Sequence, residues 1–168
     1  MTIRNPLFAL SIAVALSGAG CAGNPQHQHA GGPMQHDAAM HGAGDPDTRV
    51  AVRLPEPMRA HTLSNMRDHL RSLSEIQAAM AAGKFDEASR IAEQTLGLTS
   101  LAAHHAHEVA QFMPKAMQAI GTQMHRSASQ FATEIQNSGA TGDMKPALAA
   151  LARTTQACVA CHGGYRLE

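Results

Sequence analysis

Beyond Val50 the apolar positions of this chain recur at helical spacing in four separable stretches. In the first, Leu63, Met66, Leu70, Leu73, Gln77 and Met80 alternate three and four apart with one polar break. That spacing lays a stripe along one helix face, with Ile76 beside it. Gly83 is the expected stop, and the turn "GKFD" leads to Asp86 as the next N-cap. A shorter helix is expected over Glu87 to Leu96, ending at Gly97 ahead of the cap candidates Thr99 and Ser100. Leu101, His105, Val109 and Phe112 are one-sided, but Pro114 removes a backbone donor and disfavours helix at Met113. Either one kinked helix crosses this point or a new one starts near Pro114. Ala116, Ile120, Met124, Phe131 and Ile135 then continue a stripe up to Ser138 and Gly139. The last helix begins after Asp143 and sets Leu148, Leu151, Thr155, Val159 and His162 on one side. Four amphipathic helices with short connections predict an all-α, antiparallel four-helix bundle.

The N-terminal third follows other rules. Arg4, the apolar run "LFALSIAVAL" and the small-residue exit "SGAGC" read as an export signal over residues 1–21. Leu7 to Leu16 is too short to span a bilayer as a helix. Cys21, directly after Gly18, Ala19 and Gly20, resembles the lipidated cysteine of a bacterial lipoprotein, although Gly18 stands where that pattern has an apolar residue. The expectation is a periplasmic protein, either tethered to a membrane through a lipid on Cys21 or simply secreted. Residues 22–50 lack an apolar period and read as a disordered linker. His27, His29, His36 and His41 alternate there with Met34 and Met40, a mixture of imidazole and thioether that suits copper. Residues 51–168 remain for the helical domain.

Composition narrows the chemistry. The formal charge is zero and only 15 % of residues are charged, so no electrostatic footprint for nucleic acid is present. With no Trp, one Tyr and four Phe, but abundant Ala and Met, the chain favours close-packed helices over sheets. No Gly-rich phosphate loop or hydrolytic nucleophile is evident.

The chain closes on "CVACHGGYRLE". Cys158, Cys161 and His162 fit the C-x-x-C-H pattern of covalent haem attachment. On a helix, positions three and four after Cys158 return to its own face, so two sulfurs and an imidazole converge on one object. A zinc site would need a second ligand pair, which the sequence lacks. A redox C-x-x-C would sit at a strand–helix junction, and a disulfide across two residues of one helix is geometrically awkward. One haem c on the C-terminal helix, with iron on His162, is the expectation. Since six residues follow His162, the far side of the iron must be served from upstream.

With Tyr165 and Arg166 at the following offset, this terminus resembles the class II c-type cytochromes, the cytochrome c-prime group and its low-spin relatives. The "AGKFDEAS" turn and "FATEI" are weaker likenesses, and the resemblance spans roughly Leu54 to Leu167. It implies a bundle with haem near one end and a residue of helix one on the distal side of the iron. Counting back from "FDEA" singles out Met66 as the sixth ligand, with Met58, His61 and His69 as alternatives. Arg166 is expected near the proximal His162 or a haem propionate. The implied function is single-electron transfer with a redox partner protein rather than enzymatic turnover. A five-coordinate protein that binds nitric oxide or carbon monoxide is the alternative, and a homodimer through helix one is a further implication. A third reading, copper handling, draws on the Met/His tail and on His104, His107 and Glu108, which share a helix face at metal-ligand spacing, although a solvated face is the commoner meaning of such a group. His105 and His125 read as satisfied core histidines.

Overall fold

The computed structural model describes residues 46–168; the export signal, Cys21 and the Met/His segment lie outside them. The described chain is mostly helical, 76 % with five helices. These are α1 (Glu56–Ala81), α2 (Phe85–Ile91), α3 (Ala106–Ala110), α4 (Lys115–Thr141) and α5 (Lys145–Gly164). A short strand stands at either end: β1 (Val50–Val52) and β2 (Tyr165–Leu167). Among the described residues no helix is long and apolar enough to cross a membrane.

Pro114 does start a new helix: it is the N-cap of α4, where its missing N–H is no loss. Lys84, not Asp86, occupies the N-cap of α2, with Asp86 one residue inside the first turn. Thr99 and Ser100 cap nothing; they fall within a 3-10 turn, Leu98–Leu101, and the Ser100 hydroxyl donates to the Gly97 carbonyl at 2.7 Å. The stretch expected to complete the second helix winds more loosely, as a π turn over Ala92–Leu96, where the Gly97 N–H reaches back to Ala92 O at 2.9 Å.

The buried faces are offset from the expected stripes. In α1 the buried residues are Thr62, His69, Ser72, Ile76 and Ala79, whereas Leu70 is 70 % exposed. In α5 they are Ala147, Ala150, Thr154 and Ala157, leaving Leu148 and Val159 outside. In α4 Met117 replaces Ala116, but Met124, Phe131 and Ile135 are buried as the stripe predicts. In α5 the buried face is one of small residues, Ala147, Ala150 and Ala157 with Thr154, whereas in α1 it also carries His69 and Ile76.

Ile76, Leu96, Phe131 and Ile135, with alanines from α2, α4 and α5, form the larger core. A second, smaller core gathers Val52, Leu54, Val109 and Met117, against which Met58, Cys161, Tyr165 and Leu167 pack. β1 and β2 are parallel, with Val50, Ala51 and Val52 opposite Tyr165, Arg166 and Leu167. Strands had not been expected in a chain so poor in aromatics. This ladder joins the two ends of the described chain beside the last turn of α5.

Candidate cofactor site

A cavity of ≈ 420 Å³ opens between α1, α3, α4 and the end of α5. Cys158, Cys161 and His162 line it from α5, Met66 and His69 from α1, and Tyr165 and Arg166 from β2. Leu63, Val109, Met113, Met117, Ile120 and Leu167 make most of the remaining wall apolar. Residues far apart in sequence, the terminal motif and the middle of the first long helix, thus face one space. That volume falls within the roughly 300–1,000 Å³ of small-molecule and cofactor sites.

Helix geometry explains the α5 wall. Cys158, Cys161 and His162 lie within one continuous helix that runs to Gly164, so they share a face. Both cysteines are free thiols, half-buried. The Cys158 thiol lies 3.5 Å from the Thr154 carbonyl, onto which it donates. Burial pushes both thiols up from their ordinary pKa, with the neighbouring sulfur adding to the effect at Cys161. They are therefore neutral at physiological pH, unlike the depressed, thiolate-rich pairs of redox C-x-x-C sites.

A clasp of charged side chains borders the same end. Arg49 Nη1 donates to the His162 carbonyl at 3.4 Å while its other nitrogens grip Asp47, at 2.8 Å for the closest pair. Arg166 donates to Glu168 at 2.6 Å and lies 3.5 Å from Asp47 Oδ2, an ion contact rather than a hydrogen bond. Hydrogen bonds from Arg49, above all, hold the Asp47 carboxyl down at about 2. Arg166 thus reaches the cavity wall with its positive charge partly neutralised.

The opposite wall is unusually rich in imidazole. His69, from α1, is buried, and its Nε2 has no hydrogen-bond partner; the same holds for Thr62 Oγ1 and His61 Nε2. His69 stands 4.8 Å from His104 and 6.2 Å from His125, ring centre to ring centre, with 5.5 Å between the latter two. His61 meets His105 edge-on at 4.9 Å. Burial is the main reason that His69 is pushed down to about 4 and that His104 and His125 are lowered too.

Two sequence expectations about histidines fail here. His105 is exposed rather than core, and it adopts a left-handed backbone, φ 49°, as the N-cap of α3. Because α3 begins only at Ala106, His104 lies outside the helix and shares no helical face with His107 and Glu108, which are exposed. His125 does behave as a satisfied core histidine: its Nδ1 is 2.8 Å from the Leu96 carbonyl. What sequence reading missed is the grouping of His69, His104 and His125. His69 and His125 were legible as inward positions, but a turn of mixed geometry supplies the third ring. No protein-family model, curated protein or solved structure matches the chain.

Proposed function

We propose that this protein is a periplasmic monohaem c-type cytochrome, an electron carrier whose helices make an antiparallel four-helix bundle and whose haem is held at Cys158, Cys161 and His162. The observation that carries the reading is the shared cavity: the C-x-x-C-H face of α5 and Met66 on α1 line the same largely apolar space.

The residues suit the group. Two neutral, half-buried thiols on one helix face are placed for thioether formation, and His162 follows on the same turn. Gly121, in the middle of α4, lines the cavity, and a Cβ built there would meet nothing within 4 Å. A glycine in a helix interior costs about 1 kcal/mol relative to alanine, and here the vacated volume adds to the cavity. Thr62 leaves its hydroxyl oxygen unpartnered at the wall, as expected of a pocket whose occupant completes the packing.

When bound, haem supplies a one-electron ferric/ferrous couple. The chain's own contributions are fixation and environment. α5 carries His162 on its last turn, exposed at the cavity rim, with its carbonyl 3.4 Å from Arg49 Nη1. Met66 presents a soft thioether from the opposite wall, the ligand type that raises the potential of c-type haem. Leu63, Val109, Met113 and Ile120 exclude water and lower the local dielectric, which acts on the potential as well. Arg166, shared between Glu168 and Asp47, sets the charge at the rim.

The test is maturation in a periplasm competent for cytochrome assembly. One covalently added haem by mass, a c-type reduced spectrum, and loss of both on replacing Cys158 and Cys161 with Ala are expected. A colourless product of unmodified mass overturns the reading. Prompt binding of carbon monoxide to the reduced form would instead favour the five-coordinate alternative.

A further inference from the structure

We propose that His69, His104 and His125 form a second metal site, separate from the C-x-x-C-H motif, that takes one divalent transition ion of the zinc or copper type. The inference goes beyond the cytochrome reading and stands without it, because it depends only on three imidazoles from three different parts of the fold.

Spacing is the first argument. A metal bound at about 2.0–2.1 Å from a ring nitrogen lies about 3 Å from the ring centre, so three rings around a tetrahedral ion stand about 5 Å apart. The observed separations are 4.8, 5.5 and 6.2 Å. Imidazole is the ligand that zinc and copper share.

Tautomers are the second. The Leu96 carbonyl can only accept, so the proton of His125 must sit on Nδ1, leaving the Nε2 lone pair free. The Ser100 hydroxyl spends its own proton on the Gly97 carbonyl, at 2.7 Å. Toward His104 Nδ1, 3.4 Å away, it can then only accept, which places that proton on Nδ1 as well. A backbone carbonyl or hydroxyl behind Nδ1, with Nε2 unprotonated, is the outer-shell pattern that orients histidines bound to metals. His69 contributes a buried Nε2 with no partner at all.

The rings are at ligand spacing but not yet aimed at one point: among the described residues no three His, Cys, Asp or Glu side chains already enclose a position for an ion. Closure requires the rings of His69 and His104 to turn toward a common point. Both are the free members, since one lacks a partner for Nε2 and the other makes only a long contact to Ser100. His125 is the anchored one. The left-handed backbone of His105 turns the chain at this point, where His104 lies against His69 and His105 against His61. Non-glycine residues in that conformation are uncommon and cluster at functional sites. All three rings line the cavity already described, on the side away from the C-x-x-C-H motif's helix.

The experiment uses the full-length protein, with His27, His29, His36 and His41 replaced by Ala to silence the N-terminal segment, and stripped with chelator. Equilibrium dialysis against Zn²⁺, then separately against Cu²⁺, is read by elemental analysis; circular dichroism checks the fold of each variant. One ion per chain is expected, with affinity falling at least about tenfold in His104→Ala and in His69→Gln, and unchanged in His107→Ala. Preference between the two ions names the metal. Absence of binding in the parent, or an equal affinity in either the His104 or the His69 variant, overturns the site. Haem content, read by absorbance from the parent protein and from His107→Ala, whose residue lies outside the cavity lining, reports on the cytochrome reading separately.

Discussion

Val50 is the register partner of Tyr165, so the strand preceding the first helix is paired with the segment three residues beyond His162. The ladder continues to Val52 and Leu167, and the Glu168 N–H closes it on the Val52 carbonyl at 3.0 Å. A strand pair this short is marginal by itself. It persists because Val52, 2 % exposed, is buried with Leu54, Val109 and Met117 beneath it. The terminal turn of α5 is thereby anchored from outside its own helix.

Val52→Ala should therefore destabilise the protein by about 1.5–3 kcal/mol, the loss expected for a buried branched side chain that leaves a void. Urea unfolding followed by circular dichroism measures this. An exposed neighbour in the same strand, Val50, is 53 % accessible, and Val50→Ala should change stability by less than about 0.5 kcal/mol. Equal effects at the two positions would mean that the second core is not sealed by β1.

Two glycines of α4 should respond in opposite directions. A Cβ at Gly139 would lie 2.8 Å from Phe85 Cβ and 2.9 Å from its Cγ. Phe85 cannot swing clear, since its own Cβ is the obstacle, so Gly139→Ala forces α2 away from α4 at a cost of about 1–3 kcal/mol. Gly121 faces open space, and Gly121→Ala should stabilise the haem-free chain by up to about 1 kcal/mol. If the cavity holds haem as proposed, the same substitution should shift the Soret band or reduce haem retention, because its methyl enters that space. Thermal unfolding of both forms separates the two effects.

Met66→Ala should abolish any methionine-to-iron charge-transfer band at the red edge of the oxidised spectrum and admit carbon monoxide to the reduced form. His69 shares the wall, so His69→Gln is the matched control. If that variant and not Met66→Ala loses the six-coordinate spectrum, the axial ligand is the imidazole.

The helices and the walls of the cavity were legible in the sequence to different depths. The helix content, the break at Pro114 and the start of the last helix after Asp143 follow from backbone rules that act locally. The faces did not follow, because apolar size was used to locate the inside. Leu70 and Val159 are each 70 % exposed while Ser72 and Ala157 are buried. The buried face of α5 is made of small residues, Ala147, Ala150 and Ala157 with Thr154, and nothing in the spacing of one helix announces which of its faces a neighbour will cover. The C-x-x-C-H spacing encodes its own convergence, so that wall of the cavity could be read directly. The opposite wall depends on a left-handed residue and a π turn, both products of tertiary packing. For that reason the His69–His104–His125 group has no linear signature.

Those three rings give the protein an acid sensitivity that its carboxylates do not share. In metal-free protein, burial holds His69 at about 4 and lowers His104 and His125, while an unfolded histidine titrates near 6.5. The native state thus binds fewer protons than the unfolded one as pH falls below about 6.5, and stability drops with pH, by at most about 1.4 kcal/mol per unit for each such histidine. For His69 the loss ends near 4, below which both states are protonated. Asp68 lies close enough to oppose the shift at His69 and His104 but is outweighed by desolvation. Asp47, held at about 2, and Glu168, also lowered, begin to cost stability only as pH falls toward their ordinary values of 3.8 and 4.5, where the unfolded chain takes up protons. Urea midpoints in chelator should hence fall already between pH 7 and about pH 5.5, before the clasp carboxylates contribute. His69→Gln should flatten that slope, whereas Asp47→Asn should leave it unchanged. An identical slope in wild type and His69→Gln would show that His69 is solvated in solution, and that the imidazole wall is looser than its geometry indicates.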